Sequence, residues 1–200
     1  MSDHYYTEKP EVDSKERSWT SDLRGMTFSF FSDRGVFSKK EVDFGSKLLT
    51  DVFEFPNVTG DILDVGCGYG PIGLAIAKSD STRVVHMIDV NERALLLSER
   101  NAERNQIKNV QIYKSDRLEN VSETSFAAIV TNPPIRAGKQ VVHSILEQAY
   151  HHLANEGEIW VVIQKKQGAP SAVQKLEELF NNVDIVEKKK GYFIIRAKKV

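Results

Sequence analysis

From Asp61 to the end, the 200-residue chain alternates short apolar runs with amphipathic stretches, a rhythm that few architectures accept. The runs DILDV (61–65), TRVVHMID (82–89), NVQIYKS (109–115), FAAIVTN (126–132) and GEIWVVIQ (157–164) have strand length and few charges. Between them, PIGLAIAKS (71–79), NERALLLSERNAERN (91–105), a stretch from about 140 to 153 and another over 171–180 carry helical periodicity, with Asn91 as the expected cap of the second. Strands that alternate with helices are joined by right-handed crossovers and lie parallel, buried on both faces. The last two apolar runs, 183–186 and 192–197, flank Lys-Lys-Lys-Gly and read as a hairpin. The expected fold class is α/β: a doubly wound, mostly parallel seven-stranded sheet with an antiparallel terminal strand.

At 40% hydrophobic content, this length suits a single domain over 26–200. Residues 1–25 are polar without periodicity and read as a lead-in or lid. After them, MTFSFFSDRGVFS suggests a short N-terminal hairpin, Thr27–Phe31 against Val36–Phe37 around a Ser-Asp-Arg-Gly turn. A helix follows over 42–53, with Phe44, Leu48, Leu49 and Val52 on one face.

Charge narrows the partners. With 27 Lys+Arg against 28 Asp+Glu there is no global basic field, so any grip on nucleic acid must come from a local patch. The only cysteine, Cys67, cannot form an intramolecular disulfide, and the five histidines show no metal-ligand spacing. No metal is expected. The first 25 residues contain no apolar leader, and no apolar run is long enough to span a bilayer, so a cytoplasmic setting away from membranes is expected.

Two segments carry chemistry. LDVGCGYGPIG places Gly66, Gly68, Gly70 and Gly73 between a strand and its helix, where glycines let backbone amides approach a ligand. The spacing Gly68-Tyr-Gly70-Pro-Ile-Gly73 also satisfies the dinucleotide fingerprint, so the loop alone leaves the cofactor open. Asp64 lies at the tip of the strand before the loop and can accept from an ammonium group. Asp89 ends the next strand, 23 positions after Gly66, near the interval at which an acid meets ribose hydroxyls. With Asn91 free to cap the helix, Asp89 is expected to be left for a ligand. Asp116 follows the third strand and can accept from a purine amine. All three acids fall at carboxyl ends of strands, the edge where doubly wound sheets bind ligands.

The second segment, NPPIRAGK (132–139), follows the buried run 126–130. Two prolines supply no donors and restrict Asn132 to extended conformations, producing a stiff turn rich in acceptors. Arg136 and Lys139 flank it and can contact phosphates, with Lys165, Lys166 and Lys188–Lys190 as possible extensions of that patch.

Asp64-Val-Gly66-Cys67-Gly68-Tyr-Gly70, Asp89, Asp116 and Asn132-Pro133-Pro134, in this order, resemble the successive motifs of class I S-adenosylmethionine-dependent methyltransferases. RGVFS (34–38), DFGSKLL (43–49), NPPIRAGK and GYFIIRAKK (191–199) are similar to the catalytic domain of small-subunit ribosomal RNA guanine-N2 methyltransferases, over roughly residues 25–200. The resemblance implies S-adenosyl-L-methionine as cofactor, held by Asp64, Gly66, Cys67, Gly68, Gly70, Asp89, Val90, Asp116 and Asn132. It implies methyl transfer to an exocyclic nucleobase amine, guanine N2 first, with ribosomal RNA or the small subunit as partner. Asn132, Pro133 and Pro134 would be the catalytic segment: the Asn132 oxygen and the Pro133 carbonyl would accept the amine N–H groups and aim its lone pair. Many relatives place an aromatic after the prolines to stack on the base, where this chain has Ile135. Stacking would then fall to Phe37 or another N-terminal aromatic, with Ile135, Arg136 and Lys139 around the substrate.

Rival readings are adenine N6 or protein glutamine as acceptor, an NAD-dependent oxidoreductase using the same glycine spacing, and a noncatalytic module retaining the fold. The oxidoreductase leaves Asn-Pro-Pro unexplained, and the noncatalytic module should show a degraded Asp64 or Asn132.

Overall fold

The computed structural model describes residues 16–33 and 41–200. Its first element is a hairpin, but not the expected one. Strand β1 (Arg17–Leu23) pairs antiparallel with β2 (Met26–Ser32), in register from Arg17↔Ser32 to Leu23↔Met26. The partner expected at Val36–Phe37 lies outside the described residues. Residues 17–23, read from sequence as polar lead-in, are instead a strand with one solvated face, whose inward positions are Trp19, Ser21 and Leu23. Its turn is Arg24-Gly25, with φ of +52° and +74°. Positive φ at both central residues matches the right-handed twist of a two-residue hairpin.

A lone hairpin is marginally stable in water, and this one is pinned at three places. Leu23, Phe28 and Phe30 are fully buried, each contributing about 2 kcal/mol. Helix α1 (Phe44–Val52) presents its last carbonyls to the hairpin tip: the Arg24 guanidinium donates to Thr50 O at 2.6 Å and Phe53 O at 2.7 Å. The third pin is a pair of asparagines described below.

The remaining strands form one sheet. They are β3 (Ile62–Val65), β4 (Val85–Asp89), β5 (Val110–Lys114), β6 (Phe126–Thr131), β7 (Leu153–Gln164), β8 (Asn182–Lys189) and β9 (Tyr192–Lys198), in the spatial order β5-β4-β3-β6-β7-β9-β8. Strands β3 to β7 pair in parallel. The last strand in the chain is the antiparallel one, inserted between β7 and β8. Helices α2 (Pro71–Ser79), α3 (Glu92–Arg104), α4 (Lys139–His152) and α5 (Ala169–Leu179) fill the crossovers.

Successive side chains on a strand point to opposite faces, so each strand feeds two cores. Ala128, Val130, Trp160 and Val162 join the core beneath α1, α2, α3 and the hairpin. Their neighbours Ile129, Ile159, Val161 and Ile163 join the core beneath α4 and α5. This two-sided burial is why these strands read as near-continuous apolar runs rather than as alternating ones.

Candidate active site

Strand order decides where a ligand can sit. From β3 the chain winds outward through β4 to β5, then returns to lay β6 on the other side of β3. The two loops leaving β3 and β6 therefore diverge and open a crevice at the carboxyl edge of the sheet. Val65 pairs with Thr131 across this switch point, and the Thr131 hydroxyl donates to Val65 O at 2.9 Å. The glycine loop and Asn132, far apart in sequence, thus leave adjacent strands side by side, about 4.8 Å apart.

The four glycines divide into two jobs. A Cβ on Gly73 would meet Met87 Cγ at 2.7 Å and Asp64 Oδ2 at 2.9 Å, and one on Gly70, whose φ is +99°, would meet Met87 Cε at 3.0 Å and Ser98 Oγ at 3.1 Å, so both serve close packing of the loop and α2 on the sheet and α3. At Gly66 and Gly68 nothing lies within 4 Å of such an atom, and φ is +73° and +58°. These two turn their open side to the crevice. The Cys67 side chain is buried beside Ser98, and burial pushes its thiol well above the usual range. Only its backbone belongs to the loop's working face.

Asp64 sits under this loop, fully buried. One carboxylate oxygen accepts the Gly73 amide at 2.8 Å, while the other, Oδ1, has no hydrogen-bond partner. A buried acceptor left unpaired costs free energy until a donor arrives. Burial, aided by the nearby Asp89 charge and opposed by the Gly73 hydrogen bond, raises its pKa to about 7. The arrangement fits a ligand that brings an ammonium donor.

Asp89 is not left free as expected. Its Oδ2 accepts the Gly68 amide and its Oδ1 the Asn91 amide, both at 2.9 Å. Asn91 does cap α3, accepting from the backbone of Arg93 and Ala94. The cap thus did not release Asp89, because the same turn brings the Asn91 N–H back onto the carboxylate. Asp89 braces the glycine loop, and a ribose would have to share its remaining lone pairs. Val90, next to it, is half-buried. Asp116 is exposed, and each of its oxygens accepts from the Arg117 guanidinium, at 3.0 and 3.1 Å, so a purine amine would share its remaining lone pairs.

Asn132 is placed by α1. Its Nδ2 donates to Asp43 Oδ1 at 3.2 Å and to Ser46 Oγ at 3.1 Å. Asp43 is the cap of that helix, accepting the Ser46 amide at 3.1 Å. With both amide protons used, the Oδ1 end receives no hydrogen bond from any described residue. Pro133 is buried, and Pro134 O is taken by the Ala137 amide at 2.9 Å in a tight helical turn over Ile135–Ala137. Ile135 is half-buried against the core beneath α4, which commits part of its surface to packing. Arg136 and Lys139 are exposed at the start of α4, and Phe37 lies outside the described residues.

Two residues unmarked by the sequence reading tie the hairpin to the loop. On α3, Asn101 accepts from Phe31 N at 2.7 Å and donates to Phe31 O at 3.0 Å and to Tyr69 O at 2.8 Å. One turn on, Asn105 accepts from Ser29 N and donates to Ser29 O. Together they pair with the outer edge of β2 as a strand would. The available signal was two asparagines four residues apart, one on α3 and one at its C-terminal cap, at the spacing that shares a face. Tyr69, inside the loop, packs edge-on against Trp19 and Phe30 of the hairpin.

Lysines distant in sequence also converge. The Lys165 amide donates to Gly191 O at 2.8 Å, so Lys165 and Lys166 stand beside the Lys188–Lys190 turn at the carboxyl edge. Of these, Lys188 and Lys190 lie over the Phe193 and Phe44 rings. Among the described residues, no group of three His, Cys, Asp or Glu side chains is arranged to hold a metal ion, and no helix is long and apolar enough to cross a membrane.

Comparison with known proteins places this geometry. The methyltransferase small domain family matches residues 27–196. A protein of Bacillus subtilis (strain 168), described as uncharacterized protein YbxB, is 64% identical over 201 residues, covering 100% of both chains. The ribosomal RNA small subunit methyltransferase C of Vibrio cholerae is 32% identical over 94% of this chain and 55% of its own length. The chain thus spans about half the length of the named methyltransferases it matches. Among solved structures, the T. thermophilus 16S rRNA N2 methyltransferase RsmC, solved with AdoMet and guanosine, superposes with a TM-score of 0.82 at 27% identity, covering 96% of this chain and 52% of that one.

Proposed function

The chain belongs to the small-domain methyltransferase family, and from that premise we propose that it binds S-adenosyl-L-methionine at the carboxyl edge and methylates guanine N2 in small-subunit ribosomal RNA. Family membership removes the oxidoreductase reading of the glycine spacing. The observation that carries the proposal is the orientation of Asn132: beside the glycine loop, its amide protons are consumed by Asp43 and Ser46, and its oxygen is left to accept.

The residues fit the cofactor. Asp64 offers an unpartnered buried acceptor to an ammonium group, and Gly66 and Gly68 offer open backbone. Desolvation raises the pKa of both Asp64 and Asp89, and a cationic ligand at the loop would favour the ionised form of each. When bound, the cofactor supplies a methyl group on a positively charged sulfur.

An exocyclic guanine amine is a poor nucleophile because its lone pair is delocalised into the ring. Accepting its two N–H groups on Asn132 Oδ1 and the Pro133 carbonyl favours a pyramidal nitrogen, whose lone pair is no longer fully conjugated with the ring. Fixing the amine in line with the methyl group can remove about 7 kcal/mol or more from the barrier. As the nitrogen gains positive charge, the same carbonyl dipoles stabilise it. No side chain has to take a proton from the amine before attack, and the surplus proton leaves afterwards to solvent.

The relatives' named activity favours ribosomal RNA, and the lysines gathered at the same edge suit its phosphates. The test is transfer of labelled methyl from S-adenosylmethionine to small ribosomal subunits from cells lacking this protein, followed by nucleoside mapping. Label in N2-methylguanosine is the expected result. Label in N6-methyladenosine or on protein, or no transfer to subunits or their RNA, would overturn the assignment.

A further inference from the structure

A side-chain amide has two ends of nearly equal size and opposite hydrogen-bonding character, so its catalytic use depends on which end is presented. We propose that Asp43 and Ser46 are positioning residues for methyl transfer, holding the Asn132 amide with its oxygen toward the acceptor amine; this rests on the role of Asn132 given above.

Three observations support it. An ionised carboxylate only accepts hydrogen bonds, so a reversed amide would set its oxygen against the Asp43 oxygen now 3.2 Å from Nδ2. The second amide proton is matched by Ser46 Oγ at 3.1 Å on a side chain that is almost fully buried. The pair is itself fixed. Asp43 is held by its cap on the Ser46 amide, and the helix start is pressed onto β9 so closely that a Cβ on Gly45 would lie 2.8 Å from Tyr192 Cε1. The DFGS and GYF segments, at opposite ends of the domain, therefore meet to orient one amide.

The arrangement also has an electrostatic consequence. A carboxylate bonded to the nitrogen end polarises the amide and makes its oxygen a stronger acceptor, because hydrogen bonds in series reinforce each other. That polarisation is worth most when the amine nitrogen becomes positive, in the transition state rather than on binding. The effect should appear in the rate of transfer and not in cofactor affinity.

The experiment compares Asp43→Asn, Asp43→Ala, Ser46→Ala and Asn132→Ala with the unaltered protein. Each is assayed by single-turnover methyl transfer to small ribosomal subunits and by calorimetric titration with S-adenosylhomocysteine. Asparagine caps a helix as well as aspartate does, so Asp43→Asn preserves the fold while removing the acceptor-only charge. We expect its transfer rate to fall about 100-fold, the cost of a misaimed catalytic group, with S-adenosylhomocysteine affinity unchanged. Ser46→Ala, which leaves cap and charge in place, should lose about fivefold, one neutral hydrogen bond. Unimpaired transfer by Asp43→Asn, with Asn132→Ala inactive, would reduce Asp43 to a helix cap and overturn the proposal. Full activity of Asn132→Ala would instead remove the role of Asn132 itself.

Discussion

The Gly73 amide donates to one oxygen of the buried Asp64 carboxylate at 2.8 Å, and the other oxygen has no hydrogen-bond partner. Burial raises the folded-state pKa of Asp64 to about 7 from 3.8, so between these values the folded chain keeps a proton that the unfolded chain releases. The associated stability is fully present below the unfolded value and is lost as pH rises through about 7. Ligand-free protein should therefore lose Tm relative to Asp64→Asn as pH rises across this window. Stabilisation by S-adenosylhomocysteine should grow over the same range in the unaltered protein alone. Thermal melts of both proteins across that range test this, and parallel Tm curves would contradict it.

Asn101 bridges the hairpin edge and the glycine loop, so its loss should be felt in both. Replacing it with leucine strands the Tyr69 carbonyl and the Phe31 amide and carbonyl. The expected cost is about 3 kcal/mol in urea unfolding, with an unchanged m-value, and a weaker S-adenosylhomocysteine affinity. Asn105→Ala, which does not reach the loop, should destabilise without altering that affinity.

The loop glycines should separate by role. Gly73→Ala drives a methyl to 2.7 Å from Met87 Cγ, so unfolding free energy should drop by about 1–3 kcal/mol. Gly68→Ala meets no atom within 4 Å. It strains a left-handed residue by about 1–2 kcal/mol and places its methyl in the crevice. Its larger effect should be on cofactor affinity, measured by calorimetry.

If the lysine cluster grips phosphates, Lys165→Ala, Lys166→Ala and Lys189→Ala should weaken binding to small-subunit RNA whatever its sequence. Each lost contact should reduce the slope of log affinity against log salt by about 0.7–0.9. Fluorescence anisotropy over a salt series reads this directly. An unchanged slope in the triple variant would place the RNA elsewhere.

The sequence by itself determined the strand and helix order from Ile62 to Lys198, the Asn91 cap, the glycine turn and the acceptor-rich exit at Asn132, because each is a local matter of periodicity, φ restriction or missing donors. It misassigned residues 17–23, whose half-solvated ribbon face leaves too few apolar positions to announce a strand. It also left Asp89 open to a ligand, since the return of the Asn91 amide depends on the turn's conformation and not on residue type. Only the tertiary structure decided which ends of side chains are spent and which remain: the Asn132 nitrogen given to Asp43 and Ser46, the Asp64 oxygen left over, Asn101 joined to Tyr69, and two lysine runs set side by side. Hydrogen bonds between residues tens of positions apart carry no periodic trace in the chain. They exist only once helix packing and strand pairing have brought distant segments together: α3 onto the glycine loop, α1 onto the exit of β6, and the end of β7 onto the β8–β9 turn.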